Sequence, residues 1–366
     1  MTKIETDIES PEDPILQEDL DILAETFPFP DSFRNCVVMV TGATGYLGSL
    51  IIKSILCSSR KKRLGVKVVG LARNTEKVKS IFGSLSECED LNFVFSDLTE
   101  PFPIDIGHID YAFHTAAVTE SSRMVSEPVE TIRASVIGTD NALSYTAAYG
   151  CKSMVYLSSM EVYGTRATES ELTKETDLGV IDLTSVRSSY PESKRLCELL
   201  CLSYAKEYSL DVKIARLAQT FGAGVLSTEN RVFAQFARQA VAGKDIVLHT
   251  DGSSEGNYCY SRDAIAGLFT ILFQGSQGEV YNVANEANHM TILEMANLVA
   301  EKVAIGRIGI VVDIPQFSEK LGYAPKTKLK LSSEKLRNLD WAPSVSMEES
   351  FQRMIDSMAA RHLLYE

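Results

Sequence analysis

No stretch of about 18 uninterrupted apolar residues, the length a bilayer-spanning helix needs, occurs in this 366-residue chain. The first residues also lack the basic-then-apolar order of a secretion signal. A cytoplasmic protein with no membrane partner is expected. Cysteine is sparse and odd in number: Cys36, Cys57, Cys88, Cys151, Cys197, Cys201 and Cys259 are scattered, which argues against a disulfide framework and for a reducing compartment. Cys197 and Cys201 share a helix face but have no companion His or Cys pair, so buried thiols are expected rather than a metal site. The five histidines, His108, His114, His249, His289 and His362, show no ligand spacing. Positive charge is in deficit, and a formal net charge of -13 excludes nucleic acid as the main partner. The short "KKR" at Lys61 to Arg63 reads as a solvated loop.

What is present is ordinary for a globular protein: 45% hydrophobic and 23% charged residues, enough chain for one large or two modest domains. Acidity crowds the front, where Glu5, Asp7, Glu9, Glu12, Asp13, Glu18, Asp19, Asp21 and Glu25 face Lys3 alone. Residues 1–34 therefore form an acidic N-terminal extension. Within it, "PILQEDLDILAETF" places Ile15, Leu16, Leu20, Leu23 and Phe27 at roughly helical spacing, which suits either a capping helix or a solubilising tail.

From Cys36, short apolar strands alternate with helical segments. "CVVMVT", "VKVVGLA", "LNFVFSDL", "IDYAFHTAA", "SMVYLSS" and "VKIARLAQ" read as six strands, with "YLGSLIIKSIL" and "ETIRASVIGTDNALSYTAAYG" among the intervening helices. This alternation predicts an α/β, Rossmann-like, doubly wound parallel sheet over residues 35–217. After Leu217 the rhythm loosens. Residues 218–366 read as a smaller α+β lobe, mainly substrate-binding, with a segment near 257–273 returning to the first domain. In this region "RVFAQFARQAV", "AIAGLFTILF" and "TILEMANLVAEKV" read as helices, and "KDIVLHTDGSSEGNYCYSRD" as strands around a turn.

In "MVTGATGYLG", Gly42, Gly45 and Gly48 fall where the first strand turns into the first helix of this domain. Lacking Cβ atoms, they permit a tight turn, a close backbone approach by a pyrophosphate, and close helix–strand packing. The free amides and helix dipole there face the phosphates. No Lys-Ser/Thr pair follows, so this is not a P-loop. Thr44, Tyr46 and Leu47 complete the cofactor-binding turn. A ribose-binding acid is expected at the end of strand two; Ala72 and Arg73 stand there instead, and Arg73 suits a 2′-phosphate, tilting an NAD(P) site towards NADP(H). Asp97, beside Leu98, is the candidate for the adenine amino group.

Tyr190 and Lys194 are four apart on one helix face. A phenol titrates near 10 when unperturbed, so a base built from Tyr190 needs a nearby ammonium, and Lys194 supplies one that could also hold a nicotinamide ribose. The hydroxyl of Ser159, at the end of "YLSS", would orient the reacting oxygen. This trio suits hydride chemistry at an alcohol or ketone.

Taken together, "TGATGYLG", "SDLTE", "HTAA", "IGTDNAL", "YLSSMEVYG", "YPESK", "RLAQTFGAG" and "YNVAN" resemble the extended short-chain dehydrogenase/reductases, in particular the nucleotide-sugar epimerase/dehydratase group, from about Cys36 to the C-terminal region. The resemblance implies an NAD(P) domain, a C-terminal lobe gripping a nucleotide-linked sugar, and a homodimer through a four-helix interface. By motif position Ser159, Tyr190 and Lys194 are the catalytic trio; the backbone at Ala116 and Ala117 lines the cofactor, with His114 a packed core group; and Thr119 could touch the sugar. Related dehydratases carry Asp-Glu after the serine. Here Met160 and Glu161 follow it: Glu161 matches the acid that removes a proton beside the new ketone, but a thioether carries no proton to donate. Ser135 replaces a usual Asn, Gln219 replaces another on the substrate side, and the diphosphate- or carboxylate-binding Arg of the "DGS" loop is Gly256. That last change counts against a UDP-glucuronate decarboxylase, with Arg231 or Arg262 as substitutes.

The leading expectation is an NAD(P)-dependent enzyme that oxidises a nucleotide sugar at C4 and works through a 4-keto intermediate, with epimerisation, dehydration or decarboxylation as exits. The rivals are an NADPH-dependent ketoreductase of a 4-keto sugar or other small carbonyl, and a non-catalytic dinucleotide-binding protein, against which the intact Ser159, Tyr190 and Lys194 argue.

Overall fold

The computed structural model describes residues 8–103, 106–166, 172–314 and 328–361. The polar start at 1–7 and His362 lie outside the described residues.

Helix α1 (Pro14–Thr26) precedes β1 (Val37–Thr41), α2 (Tyr46–Lys62), β2 (Lys67–Ala72), α3 (Thr75–Phe82), β3 (Leu91–Phe95) and β4 (Tyr111–His114). The chain continues through α4 (Ser121–Ser126), α5 (Pro128–Ala148), β5 (Ser153–Ser159), α6 (Ser189–Glu207) and β6 (Val212–Leu217). Then come β7 (Gln219–Phe221), α7 (Val232–Ala242), β8 (Ile246–Leu248), β9 (Glu255–Tyr260), α8 (Ser261–Gln274), β10 (Val280–Val283) and β11 (Asn285–Thr291). Helix α9 (Ile292–Leu298), β12 (Ile310–Val312), α10 (Glu334–Arg337) and α11 (Met347–Ala360) complete the order.

Seven strands make one sheet in the order β10-β6-β5-β4-β1-β2-β3, and every neighbouring pair is parallel. Strands β4 and β6 are buried along their whole length, as a sheet with helices on both faces requires. The winding direction reverses between β1 and β4, so the chain diverges beyond their carboxyl ends and leaves a crevice there. The six expected strands all form. The seventh, β10 (Val280–Val283), overlaps "YNVAN". Between β9 and β10, α8 covers the sheet: Ile265, Leu268, Phe269, Ile271 and Leu272 share a core with Val38, Val40, Val155 and Leu157.

A second core holds the C-terminal lobe, built on Phe221, Phe233, Tyr258, Met295, Phe351 and Met354. Here β9 pairs with β7 and β11, while β8 pairs with β12 in a separate two-stranded sheet. The two strands of "KDIVLHTDGSSEGNYCYSRD" therefore belong to different sheets and make no hairpin.

Helix α1 is docked. Asp13 caps it through Leu16 N at 3.0 Å and Pro14 opens its first turn. Leu16, Leu20, Leu23 and Ala24 join the main core with Leu50 of α2 and Ile265 of α8. Each buried leucine contributes about 1.5–3 kcal/mol relative to leaving it in water, which favours the capping reading of the extension over a solubilising tail. All seven cysteines are free. Among the described residues no helix is long and apolar enough to cross a membrane, and no group of three His, Cys, Asp or Glu could hold a metal ion.

Candidate active site

The glycine turn sits at the mouth of the crevice. Gly42 has φ +67°, a left-handed conformation, and a Cβ there would lie 2.8 Å from Ala116 Cα. A Cβ on Gly48 would lie 2.3 Å from Gly42 O, so the third glycine lets the helix close on the turn. At Gly45 only Gly42 O, at 3.1 Å, would be near an added Cβ, and that face is otherwise open. Gly45 begins α2 without a side-chain cap. The first-turn amides of Tyr46, Leu47 and Gly48 thus have no intrahelical acceptor, and Thr44 stands half-buried beside them. Uncapped donors beside an open backbone face fit a dinucleotide pyrophosphate. The Tyr46 phenol is engaged elsewhere, donating to Ala223 O at 3.1 Å, so its amide is what faces the turn.

Arg73, exposed, follows β2 directly, and Asp97 follows β3 by two residues. The Asp97 carboxylate accepts bonds from Thr99 N at 2.9 Å and Thr99 Oγ1 at 2.8 Å, which together with the charge of Arg73 hold it below the usual range. Leu98 is held by Asn141 Nδ2, which donates to its carbonyl at 2.8 Å. Ala116 and Ala117 are half-buried beyond β4 and Thr119 is exposed after them. His114 is 1% exposed between Thr41 Oγ1 at 2.8 Å and Thr139 Oγ1 at 3.2 Å; burial, with Lys194 nearby, pushes it down to about 3 and keeps the imidazole neutral.

Ser159 ends β5, and its hydroxyl lies near enough to Tyr190, at the start of α6, to favour the phenolate. The Ser159 Oγ also accepts from Glu161 N at 3.2 Å, in the single 3-10 turn at Met160–Tyr163. Tyr190 is 6% exposed and Lys194 3%. One turn beyond Tyr190, Lys194 Nζ donates to Leu157 O at 2.7 Å and lies 5.9 Å from the centre of the Tyr190 ring. Burial lowers Lys194 to about 8. Burial raises Tyr190 well above its ordinary value, and the nearby Glu161 adds to that; the Ser159 hydroxyl, Arg187 and Arg231 work in the opposite direction. Arg187 and Arg231 thus join Lys194 as cations around the phenol.

Arg187 carries no sequence signal. It lies three residues before Tyr190 and pairs with a carboxylate 26 positions earlier, Nη2 standing 2.9 Å from Glu161 Oε2 and 3.1 Å from Oε1. Its Nε is buried without a partner, so a donor is left over inside the cluster. On the substrate side Arg231 packs over Phe233, approaches Gln219 Oε1 at 3.5 Å, and is held by Glu229 at 2.6 and 2.9 Å. Arg262 is bound to Asp19 at 3.0 Å and 13% exposed, which withdraws it as a stand-in for the missing loop arginine. Met160 packs with Val162, Tyr163 and Ala218. Beneath the site, Ser158 Oγ donates to Glu198 at 2.6 Å, Glu198 takes both arms of Arg216 at 2.7 and 2.9 Å, and Arg216 reaches Tyr163 Oη at 3.0 Å.

Comparison with known proteins bears on this arrangement. UDP-glucuronic acid decarboxylase 6 of Arabidopsis thaliana is 27% identical over 322 residues, spanning 83% of this chain and 90% of that protein. The structure of UDP-glucose 4-epimerase from Thermotoga maritima with UDP-glucose superposes with a TM-score of 0.73 at 19% identity, over 88% of this chain and 98% of that one. The dTDP-glucose 4,6-dehydratase of Bacillus anthracis in complex with NAD gives 0.71 at 21% identity, over 88% and 96%. At these identities the two structures speak for the fold. The profile of the NAD dependent epimerase/dehydratase family matches residues 38–284, from β1 past β10. With the glycine turn, the switch-point crevice and the Ser159–Tyr190–Lys194 cluster all inside that span, the chain belongs to the NAD-dependent epimerase/dehydratase family.

Proposed function

We propose that the chain oxidises the C4 hydroxyl of a nucleotide-linked sugar and then carries out chemistry beside the new ketone. A nicotinamide dinucleotide, when bound, supplies the acceptor and later the donor of hydride. Gly42, Thr44, Gly45, Tyr46, Leu47 and Gly48 hold its pyrophosphate; Arg73, Asp97 and Leu98 line its adenosine side; Ala116 and Ala117 offer backbone along it; Lys194 holds the nicotinamide ribose. Ser159 orients the C4 oxygen while Tyr190 takes its proton and returns it at the end. Thr119, Gln219 and Arg231 flank the sugar nucleotide. The observation that carries the reading is the juxtaposition of the Ser159 hydroxyl, the buried Tyr190 phenol and Lys194 one turn on, beside the Glu161–Arg187 pair.

Among the exits, decarboxylation of a nucleotide-linked uronate has the best support. A C4 ketone makes the C6 carboxylate a β-keto acid: the C5–C6 bond breaks, CO2 leaves, its electron pair passes into the enolate, and C5 is then protonated. No proton donor is needed to expel water, which suits Met160, and the Glu161–Arg187 pair is suited to handling a proton at C5. The match to UDP-glucuronic acid decarboxylases points the same way. The test is mass spectrometry of products after incubation with NAD+ and, separately, UDP-glucuronate, UDP-glucose and dTDP-glucose. Loss of CO2 from the first alone supports this exit; loss of water identifies another, as does an epimer of unchanged mass resolved by NMR.

A second reading rests on the exposed Arg73, which favours a 2′-phosphate and so an NADPH-dependent ketoreductase. Affinities for NAD+ and NADP+ compared in wild type and Arg73→Ala decide the coenzyme, and net consumption of free NADPH marks the reductase. The homodimer is also proposed here. Val129, Ile132 and Ile137 of α5 and Leu196, Leu199 and Leu202 of α6 are 39–59% exposed, an apolar surface on two adjacent helices.

A further inference from the structure

The acidic extension reaches the crevice through three short relays. Asp13, 1% exposed, accepts from Ser357 Oγ at 2.6 Å, and Ser357 Oγ in turn accepts from Gly224 N at 2.9 Å. The same carboxylate pairs with Arg361 Nε at 3.0 Å, while Arg361 Nη2 donates to Val225 O at 2.8 Å. Asp19, 4% exposed, accepts from Tyr260 Oη at 2.5 Å, from Arg262 at 3.0 Å and from Arg353 at 2.8 Å; Tyr260 Oη accepts from Ala223 N at 3.4 Å. Three consecutive residues after β7 are thus tied at their backbones to side chains held by two carboxylates of the extension. The fourth tie closes the path, since Ala223 O accepts from Tyr46 in the glycine turn. Apolar contact reinforces it: Gly224 has φ +76°, and a Cβ there would lie 2.9 Å from Leu16 Cδ2.

We infer that Asp13 and Asp19 are positioning residues for the dinucleotide site: they fix the Ala223–Val225 segment against Tyr46 and so hold the glycine turn in the shape that receives a pyrophosphate. The inference rests on the reading of that turn as the dinucleotide site. Glu9 provides the internal control. It is equally buried and takes both arms of Arg60 at 2.9 Å, but its partner lies on α2, where it is hydrogen-bonded to Glu9 and Cys57.

The experiment measures NAD+ affinity by calorimetry for wild type, Asp13→Asn, Asp19→Asn, Ser357→Ala and Glu9→Gln, together with melting temperature and hydrogen exchange at residues 222–226. Ser357→Ala is the gentle variant, cutting the tie to Gly224 while leaving the helix cap and the Arg361 pair in place. Asp13→Asn, Asp19→Asn and Ser357→Ala are expected to weaken NAD+ binding about tenfold and to speed exchange at the Gly224 amide. Glu9→Gln is expected to lower the melting temperature and leave NAD+ affinity within about twofold. Unchanged affinity in Asp13→Asn and Ser357→Ala overturns the inference alone, as does an equal loss in Glu9→Gln, which would make the extension a general staple. Wild-type protein without affinity for NAD+ overturns both the inference and the reading beneath it.

Discussion

Tyr190 and Lys194 are buried at a cost to stability. Lys194 is buried with one carbonyl as acceptor, and its fall from 10.5 to about 8 means the unfolded chain binds more protons than the folded one between those values. Stability should therefore rise with pH from about 8 to about 10.5, the penalty being fully present below that window. Lys194→Met should be more stable than wild type at pH 7, by about 1–3 kcal/mol after the lost hydrogen bond is counted, and should lose that advantage by pH 10.5. Urea unfolding at the two pH values measures it. Tyr190→Phe should retain the fold and lower turnover by about 10²–10⁴-fold, read from steady-state rates on whichever sugar nucleotide is accepted. Spacing and motif were enough to single out Ser159, Tyr190, Lys194 and Glu161, because a helix turn and a strand end are local facts. Arg187 was not legible: its meaning comes from a carboxylate brought to it by folding, and an arginine before a helix is otherwise a surface residue.

Helix α6 carries Tyr190 and Lys194, and the buried Glu198–Arg216 bridge fixes it to β6 one turn beyond Lys194. Arg216 is 3% exposed, so Glu198→Ala would strand a buried guanidinium and should cost about 3–5 kcal/mol, seen as a lower urea midpoint. A Glu198→Gln, Arg216→Met double variant should recover part of that loss. The alternating strands and helices of the sheet domain were readable because buried parallel strands are continuous apolar runs. Strand β10 and the assignment of β8 and β9 to separate sheets were not, since the partner of a strand is chosen by packing with distant parts of the chain. Helix α11 went unassigned for another reason: Phe351, Met354, Ile355 and Met358 face a core that only the assembled lobe creates.

At the scale of the whole molecule, the apolar stripe on α5 and α6 makes a prediction about assembly. Leu199→Glu, 59% exposed in the single chain, should leave folding intact and convert a dimer to a monomer in analytical ultracentrifugation. The stripe is visible only once α5 and α6 lie side by side, as the Ser144–Tyr204 bond at 2.6 Å shows they do; in the sequence, a dimer follows from resemblance alone. The extension was legible as an amphipathic helix and its ties to the segment after β7 were not, because its partners lie far along the chain. Asp13 meets Ser357 across 344 positions. During synthesis on the ribosome α1 emerges long before α11, so Asp13 must wait for Ser357 and Arg361 before it is neutralised. A chain cut short before residue 353 would leave Asp13 without Arg361, and Asp19 with Arg262 but without Arg353.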